Sequence, residues 1–304
     1  MRKYFYNLMS IILFLLIALS CESVVDVDLP KHKPMLVVNC CANTEKPWEV
    51  NVSLSKGILE EGDIKIVPNA KIEILDNNNK SVSEFNHYND GIYKSTGAKP
   101  KANINYTLRV TTEEYGTATS NCILPKPVEI ENVTVDTTTN KYQEKEFELT
   151  ITFTDTPNEE NFYGLSILKK TEWDDGNSDV SKEWFTSKDI LIKEEEALFE
   201  DNRSDETFRG EQAFFDDLLL QGKQYRLKIF LHQYNSYYTK TVSYTVLLVT
   251  INKDYYRYII TSKTQSETDQ NPFAQPTIIY NNIKNGLGIF GGYSVSKYNL
   301  KLSN

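Results

Sequence analysis

The chain is poor in the side chains from which most metal centres and active sites are built. Its 304 residues hold only three histidines and four cysteines. His32, His87 and His232 stand at none of the spacings that metal sites or catalytic triads use. No CxxC pair, GxSxG elbow, P-loop, HExxH or dinucleotide fingerprint occurs. Asp174-Asp175 and Asp216-Asp217 are adjacent pairs, and adjacent residues on a strand face opposite sides, so paired acid/base work has no warrant. Asp155, Asp174, Asp175 and Asp179 lack the ligand order of a calcium loop. No catalytic residue, metal or cofactor is therefore expected. Positive charge is also scarce, with 33 Lys and Arg against 42 Asp and Glu. That balance argues against nucleic acid as a partner, because phosphate backbones reward clustered cations. No apolar run reaches the ~20 residues of a spanning helix.

What is present begins at the N-terminus. Arg2 and Lys3 precede an apolar run from Leu8 to Leu19 that only Ser10 breaks, and Ser20 and Cys21 follow. A basic head, a short apolar stretch and a small residue before a cut describe a secretory signal peptide over residues 1–20. Ala18-Leu19-Ser20-Cys21 resembles a lipobox, which makes Cys21 the candidate lipid-attachment residue and acyl chains the link to a membrane. Each buried methylene contributes about 0.8 kcal/mol, so several chains hold a protein durably. Loss of Arg2 and Lys3 with the leader takes the formal net charge from −9 to −11. Residues 21–34, with Asp26, Asp28, Pro30 and Pro34, read as an acidic tether.

From Met35 the pattern is that of strands. Trp48, Val50, Val52 and Leu54 alternate with polar residues, as do Ala70, Ile72 and Ile74, and Tyr106, Leu108 and Val110. Six or seven short strands at turn-punctuated spacing predict a β-sandwich over residues 35–124. Leu124-Pro125-Lys126-Pro127 interrupts the alternation, and a domain boundary is placed there. Residues 128–304 predict a larger antiparallel β domain. Phe147 to Phe153, Tyr163 to Ile167, Tyr225 to Leu231 and Val242 to Leu248 alternate in turn, while residues 171–181 read as an exposed loop. Tyr255, Tyr258, Ile259 and Ser262 fit one helix from Lys253 to about Gln265, with Asn252 as its N-cap. The last strand is built around residues 286–293, whose glycines imply bulges or close backbone approach. The fold class is mainly β with one C-terminal helix.

Two further groups of residues stand out. With Cys21 assigned to lipid, Cys40, Cys41 and Cys122 allow one disulfide and one free thiol; the favoured pairing is Cys122 with Cys40 or Cys41, and three reduced, buried thiols are an equal alternative. Tyr234, Tyr237 and Tyr238 concentrate aromatic area in one short segment. Tyr237 and Tyr238 cannot both face inward on a strand, so the segment is the candidate contact with a ligand or partner. Asp136-Thr137-Thr138 resembles an exported-protein O-glycosylation motif and otherwise reads as a solvated turn.

Several pieces in order resemble a known family. They are Leu36-Val37-Val38-Asn39, Asn69-Ala70-Lys71-Ile72-Glu73-Ile74, Gly91-Ile92-Tyr93, Tyr106-Thr107-Leu108-Arg109-Val110 and Ile123-Leu124-Pro125. Near the end stand Tyr255-Tyr256-Arg257-Tyr258, Asn271-Pro272-Phe273 and the run from Asn281 to Gly291. This order is similar to that of the domain-of-unknown-function 4249 lipoproteins of Bacteroidota. The resemblance implies an outer-membrane lipoprotein, often encoded beside a TonB-dependent receptor, and assigns no catalytic residue. Glu22, Asp26 and Asp28 are similar to surface-export signals, which implies an outward-facing anchor. The first domain resembles transthyretin-like or immunoglobulin-like modules. The expected role is that of a non-catalytic accessory or ligand-binding partner of such a receptor in nutrient uptake. The alternatives are a structural or adhesive surface lipoprotein with sandwich spacers, and a hydrolase whose site the motifs do not reveal.

Overall fold

The computed structural model describes Tyr6 and residues 32–57, 60–97, 99–140, 142–192, 208–232, 239–268, 275 and 277–301. The chain divides into two compact units, Met1–Lys33 and Pro34–Asn304. Among the described residues, no helix is long and apolar enough to cross a membrane. Cys21 and most of residues 1–34 lie outside the described residues.

The second unit is mainly β. Seven strands precede residue 124: β1 (Leu36–Asn43), β2 (Glu49–Leu54), β3 (Lys71–Leu75), β4 (Phe85–Asn89), β5 (Ile92–Ser95), β6 (Asn105–Thr112) and β7 (Gly116–Ile123). Period-2 patterning puts their apolar residues on one face. Trp48, Val50, Val52 and Leu54 are all buried, as are Ile72, Ile74, Tyr106, Leu108 and Val110. β1, β2, β5 and β4 are neighbours in one sheet, and β3-β6-β7 form a second of three strands. The two share one core, in which Trp48 meets Tyr106 edge-on with ring centroids 4.8 Å apart.

After Pro127 come β8 (Ile130–Thr139), β9 (Lys145–Thr154), β10 (Phe162–Trp173), β11 (Ser178–Glu183), β12 (Phe185–Ser187) and β13 (Phe208–Gly210). β14 (Gln212–Asp216), β15 (Gln224–His232), β16 (Thr239–Ile251), the helix α1 (Lys253–Thr268) and β17 (Leu287–Lys301) complete the order. A five-stranded sheet, β13-β12-β15-β9-β8, shares a second core with β10 and β16. The expected inward residues Phe147, Leu149, Ile151 and Phe153 are buried there, with Tyr163, Leu165 and Ile167 opposite.

The boundary placed at Leu124–Pro127 needs correction. The cores do change there, since Leu124 belongs to the first and Val128 to the second. The sheet does not break. β17 pairs in parallel with β1, from Val37↔Leu287 to Asn43↔Tyr293. It continues antiparallel beside β16, from Ile251↔Tyr293 to Ser243↔Lys301. The result is one nine-stranded sheet through both halves. β17 gives Phe290 to the first core, Tyr298 and Leu300 to the second, and Tyr293 and Val295 to a third cluster under the helix. The proline linker is itself held. Ser294 Oγ donates to Pro125 O (2.6 Å), Val128 N to Thr250 Oγ1 (2.9 Å) and Ile130 N to Ser296 Oγ (2.9 Å).

Two smaller expectations also change. Residues 171–181 are not a loop: β10 runs on to Trp173, a turn with Gly176 at φ 85° follows, and β11 pairs back along β10. β11 is mostly exposed, so it shows no apolar alternation. Asp136-Thr137-Thr138 lies within β8, paired with residues 146–148 of β9, and is not a turn.

Candidate functional site

The residues singled out from the sequence are not gathered at one place. Tyr234, Tyr237 and Tyr238, between β15 and β16, lie outside the described residues. His87 sits on the exposed edge strand β4, its ring 5.2 Å from that of Tyr93. His232 ends β15, with Nδ1 3.9 Å from a Glu144 carboxylate oxygen. Asp155 precedes β10, whereas Asp174, Asp175 and Asp179 stand at its far end on the β10–β11 hairpin, so these four carboxylates do not meet.

Cys40, Cys41 and Cys122 are free thiols in this structure. Alternation on β1 turns Cys40 into the first core and Cys41 outward, while Cys122 of β7 enters the same core as Cys40. The candidate Cys40–Cys122 disulfide is thus not formed, although both thiols face one interior. Burial pushes the Cys40 thiol well above its ordinary value. Burial also raises Cys122, helped by the charge of Asp254. Cys41 faces away from that core; partial desolvation raises its thiol too, and the neighbouring Tyr255 hydroxyl lowers it again in part.

What the structure does assemble is a seam of asparagines and glycines where α1 meets β17. The first part of β17 has β1 on one edge only, because β16 joins it from Tyr293 onward. Its other edge would leave backbone groups unpaired, which costs about 1–3 kcal/mol each when buried. Two asparagine side chains serve it. Asn282 Oδ1 accepts from Phe290 N (2.8 Å) and Asn282 Nδ2 donates to Phe290 O (2.8 Å), reproducing what a neighbouring strand would offer. Asn252 Oδ1 accepts from Gly292 N (3.1 Å), and Asn252 N donates to Gly292 O (3.0 Å).

Asn252 has a second duty at the helix start. Its Oδ1 also accepts from Tyr255 N (3.1 Å), the expected N-cap bond. Its Nδ2 reaches Cys122 Sγ at 3.5 Å. Asp254, in the first helical turn, accepts from Tyr280 Oη (2.6 Å) and Asn282 Nδ2 (3.2 Å), a placement the helix dipole favours. Tyr255 and Tyr256 pack inward, Tyr256 stacked on Phe162 at 4.5 Å and Tyr255 on Tyr293 at 6.1 Å. The helix tyrosines thus cover the sheet.

The glycines permit this closeness. A Cβ on Gly288 would stand 2.2 Å from Val38 O, and its φ of +112° suits glycine alone. A Cβ on Gly291 would meet Cβ of Tyr255 at 2.7 Å, so helix and strand could not approach as they do. Asn281 and Asn285 complete the turn before β17: Asn281 Oδ1 accepts from Ile283 N (3.0 Å), and Asn285 adopts φ 58°.

A second polar group lies where β9 leaves the core. Asp155, 1% exposed, accepts from Tyr163 Oη, from Asn161 Nδ2 (3.3 Å) and from Gly222 N (2.6 Å). Burial and the Asp155 carboxylate push the Tyr163 phenol upward. Asp217 accepts from Asn161 N (2.8 Å), and burial raises its carboxyl. Both Asp155 carboxylate oxygens are committed to neighbouring loops and strands.

One open groove lies apart from both groups, at an end of the first sandwich. It measures about 930 Å³ and is bounded by residues 63–69, which lead into β3, and by the β6–β7 turn at residues 112–115. Apolar Ile64 and Ile66 face acidic Glu113 and Glu114 across it. Its signal in the sequence was weak, since two isoleucines in a polar connection read as ordinary variation.

No curated protein matches the chain. The family described as "Domain of unknown function (DUF4249)" matches residues 22–299, and the chain belongs to that family.

Proposed function

We propose that this protein is an outer-membrane lipoprotein, anchored through Cys21 and facing outward, that serves as a non-catalytic accessory or ligand-binding partner of a TonB-dependent receptor. The observation that carries the non-catalytic part is the use of the polar side chains. Asn252, Asp254, Asn282, Asp155 and Asn161 are engaged with main chain or side chains of neighbouring elements. They hold strands, helix and turns together and leave a concave groove elsewhere for binding. The anchoring part rests on the signal-peptide pattern of residues 1–20 and on the lipobox-like Ala18-Leu19-Ser20-Cys21.

Isolation of the tagged, full-length protein from its own membranes in mild detergent tests the reading. A TonB-dependent receptor should accompany it in fixed ratio, and Cys21→Ser should lose that association along with membrane retention. A protein that emerges alone, with the anchor intact, would favour the structural or adhesive alternative, for which the long sheet through both cores would suit a spacer.

A further inference from the structure

The groove on the first sandwich has an unusual floor. β2 is bordered by β1 on one edge, and on the other by β5 only over Glu49–Asn51. Beyond that point residues 65–67 take over as a short strip of strand. Leu54 N donates to Lys65 O (2.9 Å) and Val67 N donates to Val52 O (3.2 Å), with Ser53 and Ile66 opposite one another. In this pattern Ile66 is the non-hydrogen-bonded member of the pair, so its own N–H and C=O point away from β2. Among the described residues neither group has a hydrogen-bond partner. Ile66 is 45% exposed and Ile64, which also lines the groove, is 63% exposed.

The opposite wall is acidic and fixed. Tyr115 N donates to Thr112 Oγ1 (3.0 Å), and Thr112 Oγ1 donates to Gly116 O (3.3 Å), which holds the β6–β7 turn. Tyr115 Oη donates to Glu114 Oε1 (2.8 Å) and orients that carboxylate. Glu113, Glu114 and Asp63 line the groove against one cation, Lys65. An unpaired strand edge beside exposed branched apolar residues is a template for a further strand. Main-chain bonds then supply affinity, and side-chain contacts supply choice.

We propose that the groove binds an extended peptide of alternating apolar and basic residues, added as a strand at Ile66. The apolar side chains cover Ile64 and Ile66, and the basic ones meet Glu113 and Glu114. This deepens the ligand-binding half of the function proposed above. Its test needs no receptor, so the two readings fail separately.

The probe is a fluorescently labelled, blocked hexapeptide of alternating Val and Lys, titrated into the full mature chain in detergent at low salt and read by anisotropy. Saturable binding is expected. Glu113→Lys with Glu114→Lys, both exposed, should weaken it about tenfold while circular dichroism stays that of the parent. Ile66→Pro, which removes the N–H, should weaken it by a similar factor. A matched Val-Glu peptide should not bind. The proposal is overturned if the Val-Lys peptide does not saturate, if the Val-Glu peptide binds as well, or if the double Glu variant binds unchanged. Loss in the Glu variant with Ile66→Pro unaffected at native circular dichroism would indicate charge attraction alone, and would overturn strand addition.

Discussion

Asn282→Ala is the perturbation that most directly probes the seam. Phe290 is fully buried, and both of its main-chain groups depend on the Asn282 amide at 2.8 Å. Truncation removes two bonds worth about 0.5–1.5 kcal/mol each and strands a donor and an acceptor, at about 1–3 kcal/mol apiece. Asn282 is itself only half-buried, so water can serve part of the orphaned edge. We expect a loss of about 3 kcal/mol of unfolding free energy, measured by urea denaturation with an unchanged m-value. Hydrogen exchange should show the Phe290 amide losing protection locally, more than amides in the middle of β9. Asn282→Asp makes a sharper version. It keeps the acceptor for Phe290 N–H, loses the donor to Phe290 O, and sets a second carboxylate beside Asp254. Repulsion raises the folded-state pKa of the new carboxyl above its unfolded value. The variant should therefore be least stable at neutral pH and recover in part as pH falls through that raised pKa. A loss below about 0.5 kcal/mol for Asn282→Ala, with Phe290 exchange unchanged, would refute the reasoning.

Three other outcomes follow from the same geometry. Gly288→Ala places a methyl 2.2 Å from Val38 O at φ +112° and should cost more than about 3 kcal/mol, whereas Gly176→Ala, at φ +85° with open space around it, should cost about 1 kcal/mol; thermal denaturation of the pair separates closeness from conformation alone. Tyr163→Phe removes the hydroxyl that donates to buried Asp155 and should cost about 1.5–3 kcal/mol in urea titrations. Alkylation of the native protein should modify exposed Cys41 and spare Cys40 and Cys122, which are buried, until denaturant is added; mass spectrometry of the labelled peptides checks the order.

The strands were legible where one face met a core. Val50, Val52 and Leu54, or Leu149, Ile151 and Phe153, announce their direction by alternation, and the structure buries each of them. β11 was illegible for the same reason, since an edge strand exposed on most of its length needs no apolar face. The parallel pairing of β1 with β17 left no local trace. Val37 and Leu287 lie far apart in the chain, and only their partner edges tell them where to go. The prolines at Pro125 and Pro127 marked a change of core correctly and a break of sheet wrongly, because hydroxyls from β16 and β17 hold that linker in place. The glycines of the last strand did signal close approach, and Gly288 and Gly291 show against what. The work of Asn252 was half visible: the N-cap could be read, the bond to Gly292 could not. Asn282 looks in the sequence like any polar turn residue, and its role appears only once Phe290 is seen to lack a strand on its second edge.

The anchor is the claim on which the proposed function depends, and mass spectrometry of the N-terminal peptide from membrane-extracted protein tests it most directly. The account predicts a chain that begins at Cys21 and carries acyl groups on it. A chain that begins elsewhere, or an unmodified Cys21 thiol in protein taken from the membrane, would contradict it.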